Sequence, residues 1–295
     1  MSVTSESSAG LSMTHSAVVR PPISPWAMVR SLTVHRDLIL QMAKREVVGR
    51  YRGSVLGLLW SFFNPLVMLA VYTFAFSYIF KVRLNPGRSP DQHEPMTDFA
   101  IFAFVGLLLY TLFAETLNRA PTLILNNANY VKKVIFPLEV LPWVALFSAL
   151  MHMLISVGVL LLANLVLNQQ FHWTVIFFPL VLLPFMLVTI GLAWVLASLG
   201  VYLRDIAQTI TIITQILIYL APVFYRLEFI SNPYIQVLIR WNPLTIPIEA
   251  SRALLLRGEI PSLSALAVYW GVSLVVAYLG FVWFQRTKRG FADVL

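Results

Sequence analysis

Apolar residues in this chain arrive in long blocks separated by short polar or basic stretches. Six blocks stand out, at 57–80, 99–117, 140–167, 174–203, 206–224 and 263–284, and none holds a Lys or Arg. At 1.5 Å per residue the first makes a helix of about 36 Å, enough for a ~30 Å hydrocarbon core. Lipid offers no partner for bare backbone groups, so blocks of this length predict spanning helices. Pro179 and Pro184 in the fourth block predict a kink or a later helix start.

Between the blocks the pattern changes. Over residues 26–52, Met28, Leu32, Leu38, Ile39, Met42 and Ala43 share one helical face. Arg30, Thr33, Asp37, Gln41, Lys44 and Arg45 share the other. This predicts an amphipathic helix, suited to the headgroup layer, to a soluble partner, or to both at once. Before it, residues 1–25 are Ser-rich with Pro21, Pro22 and Pro25, lack a signal peptide's apolar core, and predict a flexible tail. Residues 81–98 predict a polar loop and 168–173 a tight turn. Residues 225–262 are too apolar for a plain loop. They predict two short helices around 234–238 and 246–256, parted by Asn242-Pro243 and Pro247, that dip back into the outer leaflet. The expected fold is an all-α membrane protein. It has an N-terminal interface helix, six transmembrane helices and two re-entrant helices before the last span. No internal repeat is visible, which argues against an inverted-repeat secondary transporter.

Composition agrees with the pattern. The 295 residues are 59% hydrophobic and 12% charged, against about 25% charged in a soluble domain. That excludes disorder and fibrous structure and disfavours a soluble enzyme. The net charge of +8 becomes an orientation signal once placed. Of the 21 Lys and Arg, 14 fall on the side of both termini and 7 on the other, which predicts cytoplasmic termini and no nucleic-acid partner. The chain has no cysteine, so disulfides, thiol catalysis and Cys-based metal sites are excluded.

Candidate chemistry is sparse. No Gly is followed by Lys, so there is no phosphate loop of the Walker A type. The five His residues form no metal-binding pair, and no metal site is expected. Glu115 falls at a span end, so His152 is the one charged or titratable candidate well inside a span, and a single His without a carboxylate makes a poor proton relay. What remains is polar and aromatic patterning. Gln208, Thr211, Gln215 and Tyr219 form one stripe on span five, flanked by Thr209 and Thr214, with Asp205 and Pro222 at its ends. Such a stripe either hydrogen-bonds to neighbouring helices or lines a path for a hydroxyl-rich substrate. Phe62, Leu69, Tyr72, Phe76 and Phe80 form an aromatic stripe on span one, and Phe99, Phe102, Gly106, Tyr110 and Phe113 another on span two. These are either packing surfaces and interfacial belts or platforms for sugar rings. The segment 126–137, with Tyr130, Val134 and Phe136, is too polar to span and too apolar for a solvated loop. It suits either a groove on a partner protein or the lipid surface.

Several of these runs resemble a known family. Arg36-Asp37-Leu38-Ile39 followed by Arg45, and Arg50-Tyr51-Arg52-Gly53-Ser54-Val55-Leu56-Gly57-Leu58-Leu59-Trp60 with Asn64-Pro65-Leu66, resemble the start of ABC-2-type permeases of polysaccharide exporters. The run from Lys132-Lys133-Val134-Ile135-Phe136-Pro137 to Pro142 looks like that family's coupling loop. Tyr202-Leu203-Arg204-Asp205-Ile206, Asn242-Pro243-Leu244 and the terminal Phe291-Ala292-Asp293-Val294-Leu295 match too. The resemblance covers roughly residues 30–295 and is nearest the O-antigen (Wzm-like) branch.

The resemblance implies a homodimer in a bacterial inner membrane, bound to two copies of a separate ABC ATPase (Wzt-like) that holds ATP and Mg. The chain itself would carry no cofactor and would not be an enzyme. It implies a lipid-linked polysaccharide substrate, with a channel lined by Phe62, Tyr72, Phe76, Phe80, Gln208, Thr211, Gln215 and Tyr219. Coupling to the ATPase falls to Arg36, Asp37, Arg45, Asn127, Tyr130, Lys132, Lys133, Val134 and Phe136. A periplasmic gate falls to Tyr234, Trp241, Asn242, Pro243, Glu249 and Arg252. Capsule and teichoic-acid exporters share this permease type. The competing reading is a membrane-embedded enzyme of glycan or lipid assembly, for which Glu115 with Arg119 and Asp205 with Arg204 are the candidate clusters.

Overall fold

The computed structural model describes residues 23–79, 97–131, 136–169 and 171–295, and these are helical with no strand among them. Two helices open the chain, α1 (Pro25–Val34) and α2 (Arg36–Arg50), where one amphipathic helix is predicted. The break is at His35. The predicted faces hold: Met28, Ile39 and Ala43 are buried, whereas Arg30, Asp37, Lys44 and Arg45 are exposed. What covers the apolar face is the protein itself, because α2 packs on α6 (Val140–Asn168). The free face of α2 is therefore its polar one.

Positive φ at Gly53 and Gly57 turns the chain out of α2, a backbone conformation that costs glycine no Cβ clash. Trp60 Nε1 closes this turn on Ser54 Oγ at 2.9 Å. The first predicted span then comprises α3 (Trp60–Thr73) and a π-helical turn at Phe74–Ile79.

Four helices are long and apolar enough to cross a membrane by length and composition: Asp98–Thr122, Val140–Asn168, Trp173–Tyr202 and Leu263–Val294. The first contains α4 (Asp98–Arg119), the centre of the molecule, 83% of whose most apolar window is buried. It continues through 3-10 turns at Ala120–Thr122 and Leu125–Asn127 into the short α5 (Ala128–Val131). In the third, α7 (Phe178–Tyr202) starts later than Thr174, after a 3-10 turn at Trp173–Phe177, with Pro179 in its first turn. There a missing N–H costs nothing.

The remaining elements complete the bundle. They are α8 (Ile206–Leu220), α9 (Pro233–Arg240), α10 (Thr245–Arg252), α11 (Leu263–Thr287) and α12 (Phe291–Val294). α9 and α10 are the two short helices expected before the last span. α7 and α11 cross at Gly191 and Gly280, where a Cβ on either would overlap the other helix's backbone. Small residues at such crossings allow the close approach that drives helix association in lipid. Gly200 does the same for the turn after α4, since a Cβ there would overlap the Pro121 carbonyl. Outward positions stay apolar, among them Leu154, Leu162 and Val166 on α6 and Val268, Val272 and Leu279 on α11. Water would penalise so much exposed apolar surface, and lipid does not.

Candidate transport path and coupling site

α3 and α8 both pack on α4 and leave their outer faces uncovered. On α8 the inward contact is Thr214, which is buried. Its hydroxyl donates to Asn118 Oδ1 at 2.9 Å, and the Tyr110 hydroxyl donates to its carbonyl at 2.9 Å. The predicted stripe lies off this seam. Gln208, Gln215 and Tyr219 are exposed, and Thr211 is half-buried with its hydroxyl bonded to the Ala207 carbonyl at 2.9 Å. The chain therefore satisfies Thr214 and leaves Gln208 and Gln215 of the stripe exposed.

The aromatic stripe of α3 behaves differently. Leu69 is buried, and Tyr72 is half-buried at a cavity of about 350 Å³ between α3, α4 and α6. Phe62 is exposed beside Phe63. Phe76 sits on the π-helical turn with its side chain outside the described set, and Phe80 lies outside the described residues. Where it is described, the stripe turns partly towards the chain's own core, through Leu69 and Tyr72.

The same cavity reaches a cluster of charges that sequence reasoning leaves apart. Arg50 from the end of α2 pairs with Glu115 on α4. Arg119, one turn further along α4, pairs with Glu46 on α2 and lies 3.7 Å from Glu115. His152 of α6 joins them, with Nδ1 3.2 Å from Arg50 Nη1 and 3.8 Å from Glu115 Oε2. The ring meets Tyr51 edge-on, and Nε2 is buried without a hydrogen-bond partner. The histidine that lacked a carboxylate in the sequence thus has one in space. The signal available beforehand was the i, i+4 spacing of Glu46 with Arg50 and of Glu115 with Arg119. Glu115 Oε1 faces both Arg50 and Arg119 while Oε2 faces the His152 ring, so the Glu115–Arg119 candidate is occupied by ion pairs.

The segment between α4 and α6 carries the predicted coupling residues. Asn127 folds back, its amide donating to the Leu123 carbonyl at 2.8 Å. Tyr130 and Phe136 are half-buried and stack with ring centroids 4.3 Å apart, a paired unit in place of a fully exposed ridge. Lys132, Lys133 and Val134 lie outside the described residues. Arg45 and Asn127 share the wall of a cavity of about 290 Å³ with Met42, Glu46 and Arg119. Arg36 and Asp37 are exposed and lie 3.7 Å apart. At the far end of the segment, Lys288 Nζ donates to Glu139 Oε2 at 3.1 Å, and Trp194 Nε1 to the Glu139 carbonyl at 3.1 Å.

The residues predicted for an external gate divide in two. Tyr234 and Trp241 are 84% and 82% exposed, on or just past α9. Asn242 and Pro243 form an anchored turn, with Asn242 Oδ1 accepting from the Leu244 N–H at 3.0 Å and the Pro243 carbonyl from the Tyr269 hydroxyl at 2.9 Å. Arg252 is 0% exposed. It donates to the carbonyls of Pro222 at 2.6 Å, Val223 at 2.7 Å and Phe102 at 3.2 Å, and to Glu249 Oε1 at 2.9 Å. The guanidinium lies 3.4 Å from the Phe102 ring centroid. Burial lowers its pKa to about 10, with Glu249 opposing, so it stays cationic at neutral pH. The arrangement has a clear cause. α8 ends at Leu220, and the chain through Pro222 and Val223 is not helical. Irregular backbone inside an apolar bundle must have its carbonyls bonded, and Arg252 bonds two of them. Gly106 leaves the room, since a Cβ there would sit 3.0 Å from Arg252 Nη2 and from Val223 Cα. Among the described residues no group of three or more His, Asp or Glu is placed to hold a metal ion.

Comparison with known proteins agrees with this architecture. The sequence model of the ABC-2 type transporter family matches residues 37–256. An "O-antigen export system permease protein RfbA" of Myxococcus xanthus is 27% identical over 267 residues, which cover 90% of this chain and 98% of that protein. A protein of the same name from Klebsiella pneumoniae is 23% identical over 260 residues, 88% of this chain and 95% of its own length.

Proposed function

The chain belongs to the ABC-2 type transporter family, and from that premise we propose that it is the permease subunit of an ATP-driven exporter of lipid-linked polysaccharide of the O-antigen type. In this reading the first span is α3 with its π-helical turn, the fifth is α8, and the other four are the long helices. Both termini face the cytoplasm, and α9 and α10 lie in the outer leaflet of a bacterial inner membrane. Two copies of the chain pair, and two copies of a separate ABC ATPase hold ATP and Mg beneath them. α2 and the segment 126–137 meet that ATPase.

The observation that carries the reading is the uncovered amide stripe of α8. Gln208 and Gln215 are exposed on an apolar helix, and an amide left in lipid without a partner costs several kcal/mol (about 2–7). These groups need water, a sugar hydroxyl or a second protomer beside them. A hydroxyl-rich glycan passing between two copies of α8 supplies all three. The relatives named as O-antigen export permeases support the substrate class.

Thr211→Leu, Gln215→Leu and Tyr219→Leu each remove one polar group from the stripe. Each is expected to reduce surface glycan at least fivefold while the permease still assembles with its ATPase. Normal surface glycan in all three variants would exclude the lining role. Chemical analysis of the exported glycan separates O-antigen from capsule or teichoic acid.

A further inference from the structure

The ion pairs between α2 and α4 have an order that a chance contact lacks. α2 presents Glu46 and Arg50 one turn apart, and α4 presents Glu115 and Arg119 one turn apart. Glu46 pairs with Arg119 and Arg50 with Glu115. The helices run antiparallel here, and the charge signs alternate along each. A slide of one turn in either direction sets like charges together, either Glu46 against Glu115 or Arg50 against Arg119. The four residues therefore fix register as well as distance, the device that charge pairs supply best. All four side chains are more than half buried, and the most exposed of them, Arg50, is braced by His152 of α6.

Both elements proposed to meet the ATPase hang on this ladder. The free polar face of α2 lies on one side. On the other, α4 passes through two 3-10 turns straight into α5 and Tyr130. The two also share a cavity wall, lined by Arg45 from α2 and Asn127 from the segment. The far end of the segment is tied separately, through Glu139, to α7 and to Lys288.

We propose that the Glu46–Arg119 and Arg50–Glu115 ladder joins the interface helix and the coupling segment into one lever that stays closed through the transport cycle. The ATPase then moves a single body, and α4 carries that motion into the bundle. The inference rests on the coupling role proposed above. It adds that the two elements do not move relative to each other.

The chain has no cysteine, so a cross-link can be confined to one rung. The test uses the full permease co-expressed with its ATPase. It reads surface glycan in cells and ATP hydrolysis by the purified complex. Glu46→Cys/Arg119→Cys is expected to lower export per ATP at least fivefold. A short reducible bis-thiosulfonate linker across the pair should restore it to within twofold. Normal export before cross-linking, or a further loss on cross-linking that reductant reverses, would overturn the lever.

A second arm guards against misfolding of the cysteine pair. Swapping one rung (Glu46→Arg/Arg119→Glu) keeps the attraction but removes the register penalty, and should uncouple hydrolysis from export. Swapping both rungs, by adding Arg50→Glu/Glu115→Arg, restores alternation and should recover coupling to within threefold. Equal coupling in the two swaps would refute register locking. If the unaltered permease binds no ATPase, the proposed function itself falls. If it binds and these arms fail, the lever alone is wrong.

Discussion

The two ends of α4 hold their charges in opposite ways. Near Asp98, Arg252 is sealed in the bundle and bonded to three backbone carbonyls, one carboxylate and an aromatic face. Near Arg119, Glu46, Arg50, Glu115 and Arg119 meet as side chains from two helices, partly open to solvent. The first arrangement repairs a broken helix, and three of its partners are backbone carbonyls that no substitution can exchange. The second is built from groups that can trade places. One end of the central helix is thus tied to backbone atoms of the fold, and the other meets α2 through charged side chains that can be exchanged.

The comparison predicts unequal costs. Arg252→Met should do most damage, because it leaves the Pro222 and Val223 carbonyls bare inside the bundle and Glu249 without its cation. Removing one partner of a buried charge network costs ~3–5 kcal/mol. The expected result is loss of monodisperse protein on size exclusion in detergent. Arg252→Lys should fall between, since an ammonium cannot reproduce the planar fork of donors. A fully stable Arg252→Met protein would show that the break in α8 finds other partners.

Gly106→Val probes the same end from the other side. Its Cβ would press on both Arg252 and Val223, and overpacking of this kind typically costs about 1–3 kcal/mol. A lowered unfolding temperature with intact assembly is expected. At the opposite end, Glu115→Gln keeps the hydrogen bonds but removes the charge that Arg50 and Arg119 share. The ladder is partly solvated, so the loss should be about 1–2 kcal/mol, visible as a small shift in the same melt. A larger cost for Glu115→Gln than for Gly106→Val would reverse the comparison.

How much of this was legible beforehand depends on whether the cause is local. Four of the six apolar blocks were, because lipid demands uninterrupted apolar runs: those at 99–117, 140–167, 174–203 and 263–284 correspond to the four helices long and apolar enough to cross a membrane, and that at 206–224 gave the shorter α8, broken before Pro222. The faces of α2 were legible residue by residue, but their neighbour was not. Periodicity says which side is apolar and is silent on whether α6 or lipid covers it. The roles of Arg252 and His152 stayed hidden for a stronger reason. Arg252 is bonded to carbonyls 29 and 30 residues before it in the chain, and a further one 150 residues away. Backbone acceptors leave no mark in a sequence. Glu115 and His152 meet only because α4 and α6 pack, and Arg50 reaches both from a third helix.

The smallest effect on stability is expected at Asp37, on the same helix as half of the ladder. Its carboxylate is 80% exposed and 3.7 Å from Arg36, which is itself 74% exposed. Exposed pairs of this kind contribute about 0.2–1 kcal/mol and are weakened by salt. Asp37→Asn should therefore leave the melting curve of the isolated permease unchanged within error. The free face of α2 is nevertheless the face proposed to meet the ATPase. The same substitution is therefore expected to weaken the permease–ATPase complex, read as a faster release of the ATPase on dilution at low salt. Glu46, a few turns along, should show the reverse pattern, with a measurable cost to the isolated permease. A charge pointing outward would then be kept for a partner and a charge pointing inward for register. Equal effects of Asp37→Asn and Glu46→Gln on both measurements would erase that division of α2 into two faces.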